Sequence, residues 1–124
     1  MPPSADKRPL VLIVDDDLAV RDSLAAVMEA FGFRILTACN GAEGLEAIET
    51  EMPSAVITDL QMPKMSGLEL ISALRRDGTG LPVIAISGGD IEAAKRAGAV
   101  AAFHKPFPVF DMIDAVNALT HHAA

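Results

Sequence analysis

Short runs of Val, Ile and Leu alternate with stretches of helical period along the whole chain, and this alternation leaves few folds open. The runs lie at residues 10–14, 34–38, 55–58, 82–86 and 100–103. Each is short enough for a strand and apolar on both faces, as a sheet covered on both sides requires. Between them, apolar residues recur at helical spacing: Val20, Leu24, Val27, Met28 and Phe31, then Leu45, Ile48 and Met52, then Leu68, Ile71 and Leu74. Ile113, Val116 and Leu119 form a further stripe after the last run. Gly32, Gly78, Gly80 and Gly98 stand where helices should stop, Asn40-Gly41 where a strand gives way to a helix, and Ser66 where the third helix should be capped. Five βα units therefore fill the chain, which predicts an α/β, doubly wound, five-stranded parallel sheet. The strand count favours the flavodoxin-like order 2-1-3-4-5.

At 124 residues this is one domain, long enough to bury a core without disulfides or metals. A formal charge of −7 with no basic stripe argues against binding nucleic acid or an anionic membrane surface. Cys39 is the only cysteine, which excludes an internal disulfide and suits a reducing, cytoplasmic setting. The first residues lack the apolar segment of a signal peptide, and no run approaches a membrane span. Residues 1–8 and 122–124 read as tails around a domain at 9–121.

In sheets of this kind ligands bind beyond the carboxyl ends of the strands, near the point where strand order reverses. The polar residues at those ends are Asp15 and Asp16 after the first run, Asp59 after the third, Ser87 after the fourth, and His104-Lys105-Pro106 after the fifth. The second run ends in Cys39-Asn40, farther from the reversal. Three carboxylates crowded at the edge of a core repel one another, so something must offset the repulsion. Asp17 suits the N-terminus of the first helix. For the others, clustered carboxylate oxygens suit a hard divalent cation that keeps sites for waters and phosphate oxygens. Lys105 is a compact charge for a phosphoryl oxygen, Ser87 a hydrogen-bonding hydroxyl, and a carboxylate can accept a phosphoryl group covalently.

The stretches "LIVDDD", "VITDLQMPKMSGLELI", "VIAISGG" and "AGAVAAFHKPF" resemble, in order and on the expected strands, the landmarks of the receiver domain of two-component response regulators, over about residues 8 to 120. The resemblance implies that Asp59 is the phosphoacceptor and that Asp15, Asp16, Asp59 and the backbone carbonyl of Gln61 hold Mg²⁺, with Mn²⁺ as a substitute. It implies that Ser87 is the switch hydroxyl and Lys105 the ammonium that meets the phosphoryl group, ahead of a cis peptide to Pro106. The donor it implies is a sensor histidine kinase or a phosphotransfer protein. Such a chain is a signalling module of the stand-alone type, a phosphoacceptor with at most slow self-dephosphorylation rather than an enzyme.

Two departures bear on readout. Receivers commonly carry Tyr or Phe three residues before the motif lysine, where Ala102 stands here; Phe103 should point to the opposite face. Ser87 and Lys105 are also about four residues closer together than usual, roughly one helical turn, which shortens the fourth helix to about residues 91–97. A rival reading is a haloacid-dehalogenase-type phosphatase with Asp15 as nucleophile. It lacks the usual Thr or Val at Ala19, a late acidic pair, and the length for a cap. A binding-only pseudo-receiver is opposed by the intact Asp, Ser and Lys set.

Overall fold

The computed structural model describes residues 7–120. Strands and helices alternate as β1 (Leu10–Val14), α1 (Leu18–Ala30), β2 (Arg34–Ala38), α2 (Gly41–Glu51), β3 (Ala55–Asp59), α3 (Gly67–Arg76), β4 (Val83–Ser87), α4 (Ile91–Ala97), β5 (Ala101–His104) and α5 (Val109–Thr120). All strand pairs are parallel, in the order β2-β1-β3-β4-β5. This is the predicted doubly wound topology, with strand bounds within one residue of the sequence reading. The short α4 also falls where the spacing of Ser87 and Lys105 puts it. Of the expected tails, residues 1–6 and 122–124 lie outside the described residues, as do His121 and His122.

The side-chain alternation of the strands divides the core into two layers. Val11, Ile13, Ile57, Ile84 and Ile86 pack with Leu24 and Met28 of α1 and Met112, Ile113 and Val116 of α5. Leu12, Val14, Val56, Val83 and Ala85 pack on the other side with Ile48, Leu70, Ile71, Leu74 and Ala94 from α2, α3 and α4. Central strands β3 and β4 are buried at every position, which explains why they read as unbroken apolar runs.

Caps set where the helices begin at the site-bearing rim. The Asp17 carboxylate accepts from the backbone N–H groups of Ala19 and Val20, and Asn40 Oδ1 from that of Glu43. Ser66 Oγ accepts from Glu69 N at 3.2 Å while Glu69 Oε1 accepts from Ser66 N at 3.1 Å, a reciprocal capping box. Ser66→Ala is expected to cost about 1 kcal/mol, read in a thermal melt as a fall of about 4 °C.

Two residues of the predicted stripes are corrected. Met52 is not on the buried face of α2: it is the C-cap, in the left-handed region at φ 50°, and is 78 % exposed. Phe31 is likewise a cap, at the end of α1, and its ring lies outside the core against Phe110. A period of 3.6 fits one residue past a helix end as well as one inside it, so periodicity does not separate a cap from a buried position. Among the described residues, no helix is long and apolar enough to cross a membrane.

Candidate functional site

The same alternation that builds the core positions the site. Asp15 continues the series Val11, Ile13; Asp59 follows Ile57; and Lys105 follows Phe103, so all three extend the α1–α5 layer at the carboxyl ends of their strands. There they meet. Lys105 Nζ donates to Asp15 Oδ2 and to Asp59 Oδ2, each at 3.2 Å. Asp16, on the exposed side, completes a group in which one carboxylate oxygen from each of Asp15, Asp16 and Asp59 lies within 4.8 Å of the others.

Backbone amides hold the two buried carboxylates. Asp17 N donates to Asp15 Oδ1 at 2.9 Å, and Gln61 N donates to Asp59 Oδ1 at 3.3 Å. Each aspartate is thus gripped at one oxygen by main chain and at the other by Lys105. The loop after Asp59 folds back tightly, with Gly67 N donating to Leu60 O at 3.0 Å. A Cβ at Gly67 would stand 2.8 Å from Leu60 Cα and closer still to the Asp59 carbonyl oxygen, so only glycine fits beneath the site.

The electrostatics leave the cluster short of positive charge. Burial raises the Asp15 carboxyl above its ordinary pKa, and the Asp59 charge adds to the rise against the opposing hydrogen bonds from Asp17 N and Lys105. Burial alone would lower Lys105, but its hydrogen bonds to Asp15 and Asp59 outweigh it and hold the ammonium above its ordinary pKa. Three carboxylates against one ammonium is an oxygen donor set that fits a hard divalent cation. It can also support carboxylate nucleophilicity toward a group bearing negative oxygens, once that charge is neutralised.

Comparison with known proteins shows the family. Residues 11–117 match the response regulator receiver domain family. The chain belongs to that family. This receiver is 34 % identical over 113 residues to the response regulator MprA of Mycobacterium ulcerans, a match covering 88 % of the chain and 49 % of the relative. The chain therefore spans about half the length of the curated relatives it matches. Among solved structures, the receiver domain of the Francisella response regulator 1452 superposes with a TM-score of 0.87 at 31 % identity, covering 92 % of this chain and 98 % of that one. A CheY-like response regulator receiver domain protein from Methanospirillum hungatei gives 0.84 at 30 % identity, covering 90 % and 93 %.

Not every residue picked from the sequence joins the cluster in this receiver. Ser87 follows Val83 and Ala85, so it extends the opposite layer. Its Oγ accepts from Gly89 N at 2.9 Å rather than meeting Asp15, Asp59 or Lys105. Ala102 lies on that same layer and Phe103 on the α1–α5 layer, 6.5 Å from Phe107 between ring centres, so Phe103 does not stand in for the missing aromatic residue. The Lys105–Pro106 peptide is cis. Cys39 donates its thiol to Glu43 Oε2 at 3.0 Å, and that hydrogen bond raises its pKa above the ordinary value. His104 is exposed. The gripping amides of Asp17 and Gln61 and the spacer role of Gly67 went unread in the sequence. Only Gly67 left a signal there, a poor helix former at the first position of a capped helix.

Proposed function

We propose that this receiver accepts a phosphoryl group on Asp59 from the phosphohistidine of a sensor kinase or phosphotransfer protein, and thereby switches a partner. The observation that carries the reading is the Asp15–Lys105–Asp59 contact at the carboxyl edge of the sheet, with Asp16 beside it. An Asp59 carboxylate oxygen forms the new O–P bond as the N–P bond of the donor breaks. The bonding pair returns to the imidazole nitrogen. Lys105 then offers its ammonium to a phosphoryl oxygen, and Ser87, whose hydroxyl oxygen accepts from Gly89 N rather than meeting the cluster before phosphorylation, is the switch hydroxyl that must move to donate to another. Mg²⁺, or Mn²⁺ in its place, held by Asp15, Asp16, Asp59 and the Gln61 carbonyl, supplies positive charge to the phosphoryl oxygens when bound. On this reading the domain is a cytoplasmic signal carrier with at most slow self-dephosphorylation rather than a turnover enzyme.

Incubation of the full chain with acetyl phosphate and Mg²⁺ is expected to add one phosphoryl group, seen as a single mass increment, and a chelator should suppress it. Mg²⁺ should also raise the melting temperature: a cation at about a hundred times its Kd stabilises by about 2.7 kcal/mol. That rise should vanish in Asp15→Asn. No mass increment from the wild-type chain would overturn the assignment in favour of the binding-only reading, and turnover of a phosphomonoester that Asp15→Asn abolishes and Asp59→Asn keeps would overturn it in favour of the phosphatase reading.

A further inference from the structure

Asp59 belongs to the layer that faces α1 and α5, but one of the groups that hold it comes from the opposite layer. Thr58 is one step out of phase with it. It stands in register with Val14 of β1 and Ala85 of β4, both in the layer under α2, α3 and α4, and it is fully buried. A buried hydroxyl needs a partner. Thr58 Oγ1 donates to the carbonyl oxygen of Asp59 at 2.9 Å, so the partner is the main chain of the residue that carries the chemistry.

That bond completes a grip on the main chain after Asp59. In the peptide between Asp59 and Leu60, the carbonyl accepts from Thr58 Oγ1 and Leu60 N donates to Ile86 O of β4 at 3.1 Å. In the peptide between Leu60 and Gln61, the carbonyl accepts from Gly67 N at 3.0 Å and Gln61 N donates to Asp59 Oδ1 at 3.3 Å. Both ends of two consecutive peptide planes are therefore held. A plane held at both ends cannot tilt, so the main chain fixes where the Asp59 side chain begins and, through Gln61 N, where one carboxylate oxygen ends. Gly67 closes the remaining direction, lying so near the Asp59 carbonyl that a Cβ would not fit. Of the four partners, two are main-chain atoms and one is Asp59 itself. Thr58 Oγ1 is the one that belongs to another side chain.

We propose that Thr58 is a positioning residue for phosphoryl transfer: its hydroxyl locks the Asp59–Leu60 peptide and so aims the Asp59 carboxylate at the incoming phosphorus. The proposal rests on the phosphoacceptor reading. Strand alternation puts the Thr58 side chain on the face away from the reacting atoms, and its bond leaves Lys105, Asp15 and Asp16 as they are. The charges that draw in the phosphoryl group are therefore not its concern, and its loss should slow the step after binding rather than weaken binding. A misplacement of about 1 Å can cost a reaction about a hundredfold. With Leu60 N and Gly67 still in place, loss of this one contact should cost about tenfold.

Three variants of the full chain isolate the hydroxyl. Thr58→Val exchanges it for a methyl group of the same shape, while Thr58→Ser and Thr58→Ala share the loss of the methyl and differ in the hydroxyl alone. Labelling is followed by intact mass over a range of acetyl phosphate concentrations at fixed Mg²⁺. Thr58→Val and Thr58→Ala should lower the maximal rate about tenfold with the half-saturating concentration unchanged, and Thr58→Ser should keep the wild-type rate. Amide hydrogen exchange in the metal-free, unphosphorylated chain reads the grip without the reaction. Leu60 and Gln61 should exchange about tenfold faster in the Val and Ala variants and at the wild-type rate in the Ser variant, with the amides of α1 unchanged throughout. If Thr58→Val does not fold, the Ser and Ala pair carries the test. Equal rates in that pair, a change in the half-saturating concentration alone, or faster exchange without slower labelling would overturn the role of Thr58 and leave the phosphoacceptor reading standing. A wild-type chain that takes no label would overturn both.

Discussion

Asp59→Asn is expected to lower phosphoryl incorporation from acetyl phosphate by at least about a hundredfold, since removal of a covalent nucleophile leaves only residual chemistry. The neighbouring carboxylates cannot take over. Asp15 is fully buried, with Oδ1 engaged by Asp17 N and Oδ2 by Lys105, while Asp16 lies on the exposed side of the cluster. The variant should stay folded, because the Asn carbonyl oxygen can still accept from Gln61 N, Lys105 keeps its bond to Asp15 in place of the one lost at the amide nitrogen, and the change removes a charge that raises the Asp15 pKa. Intact-mass spectrometry after incubation with Mg²⁺ and acetyl phosphate reads the first effect, and a thermal melt reads the second. Wild-type labelling of the variant would move the acceptor elsewhere and dismantle the mechanism.

Gly67→Ala should be the most damaging small substitution in the chain. The added methyl would press on the Asp59 carbonyl and on Leu60 Cα, both main-chain atoms that cannot rotate away. The gain in helix propensity, about 1 kcal/mol, does not offset it. A loss of about 3 kcal/mol or more is expected, at the severe end of overpacking changes, read as a lower urea midpoint. Any folded fraction should label more slowly, because Asp59 itself has been displaced. Gly80→Ala is the control, for no atom lies within 4 Å of its new Cβ and its φ is not in the left-handed region. A Gly67→Ala midpoint equal to that of the control would show that the loop yields where the geometry says it cannot.

Much of this was legible beforehand, for identifiable reasons. Element order and strand bounds follow from run length and period, which are local properties. The helix starts at Asp17, Asn40 and Ser66 follow from side chains that bond their own neighbours. The opposed faces of Ala102 and Phe103 follow from strand alternation alone. The stripes failed at their last residues, Phe31 and Met52, where helix and cap are indistinguishable by spacing. Ser87 shows a different limit. It sits at a strand end like Asp59, but it is one step out of phase with the aspartates and the lysine, and phase matters only once the sheet is assembled.

By itself, then, the sequence determined the alternating elements, the parallel doubly wound sheet, and the set of polar residues at the strand ends, because each depends on residues near one another in the chain. Tertiary structure alone decided which of those residues touch. Lys105 reaches Asp15 and Asp59 across distances of 90 and 46 positions, and the grip of backbone amides, the space denied to any residue but glycine at 67, and the pairing of Phe31 with Phe110 all arise only when separate βα units pack together. Contacts of that separation are set by the geometry of the packed layers, and no local pattern encodes them.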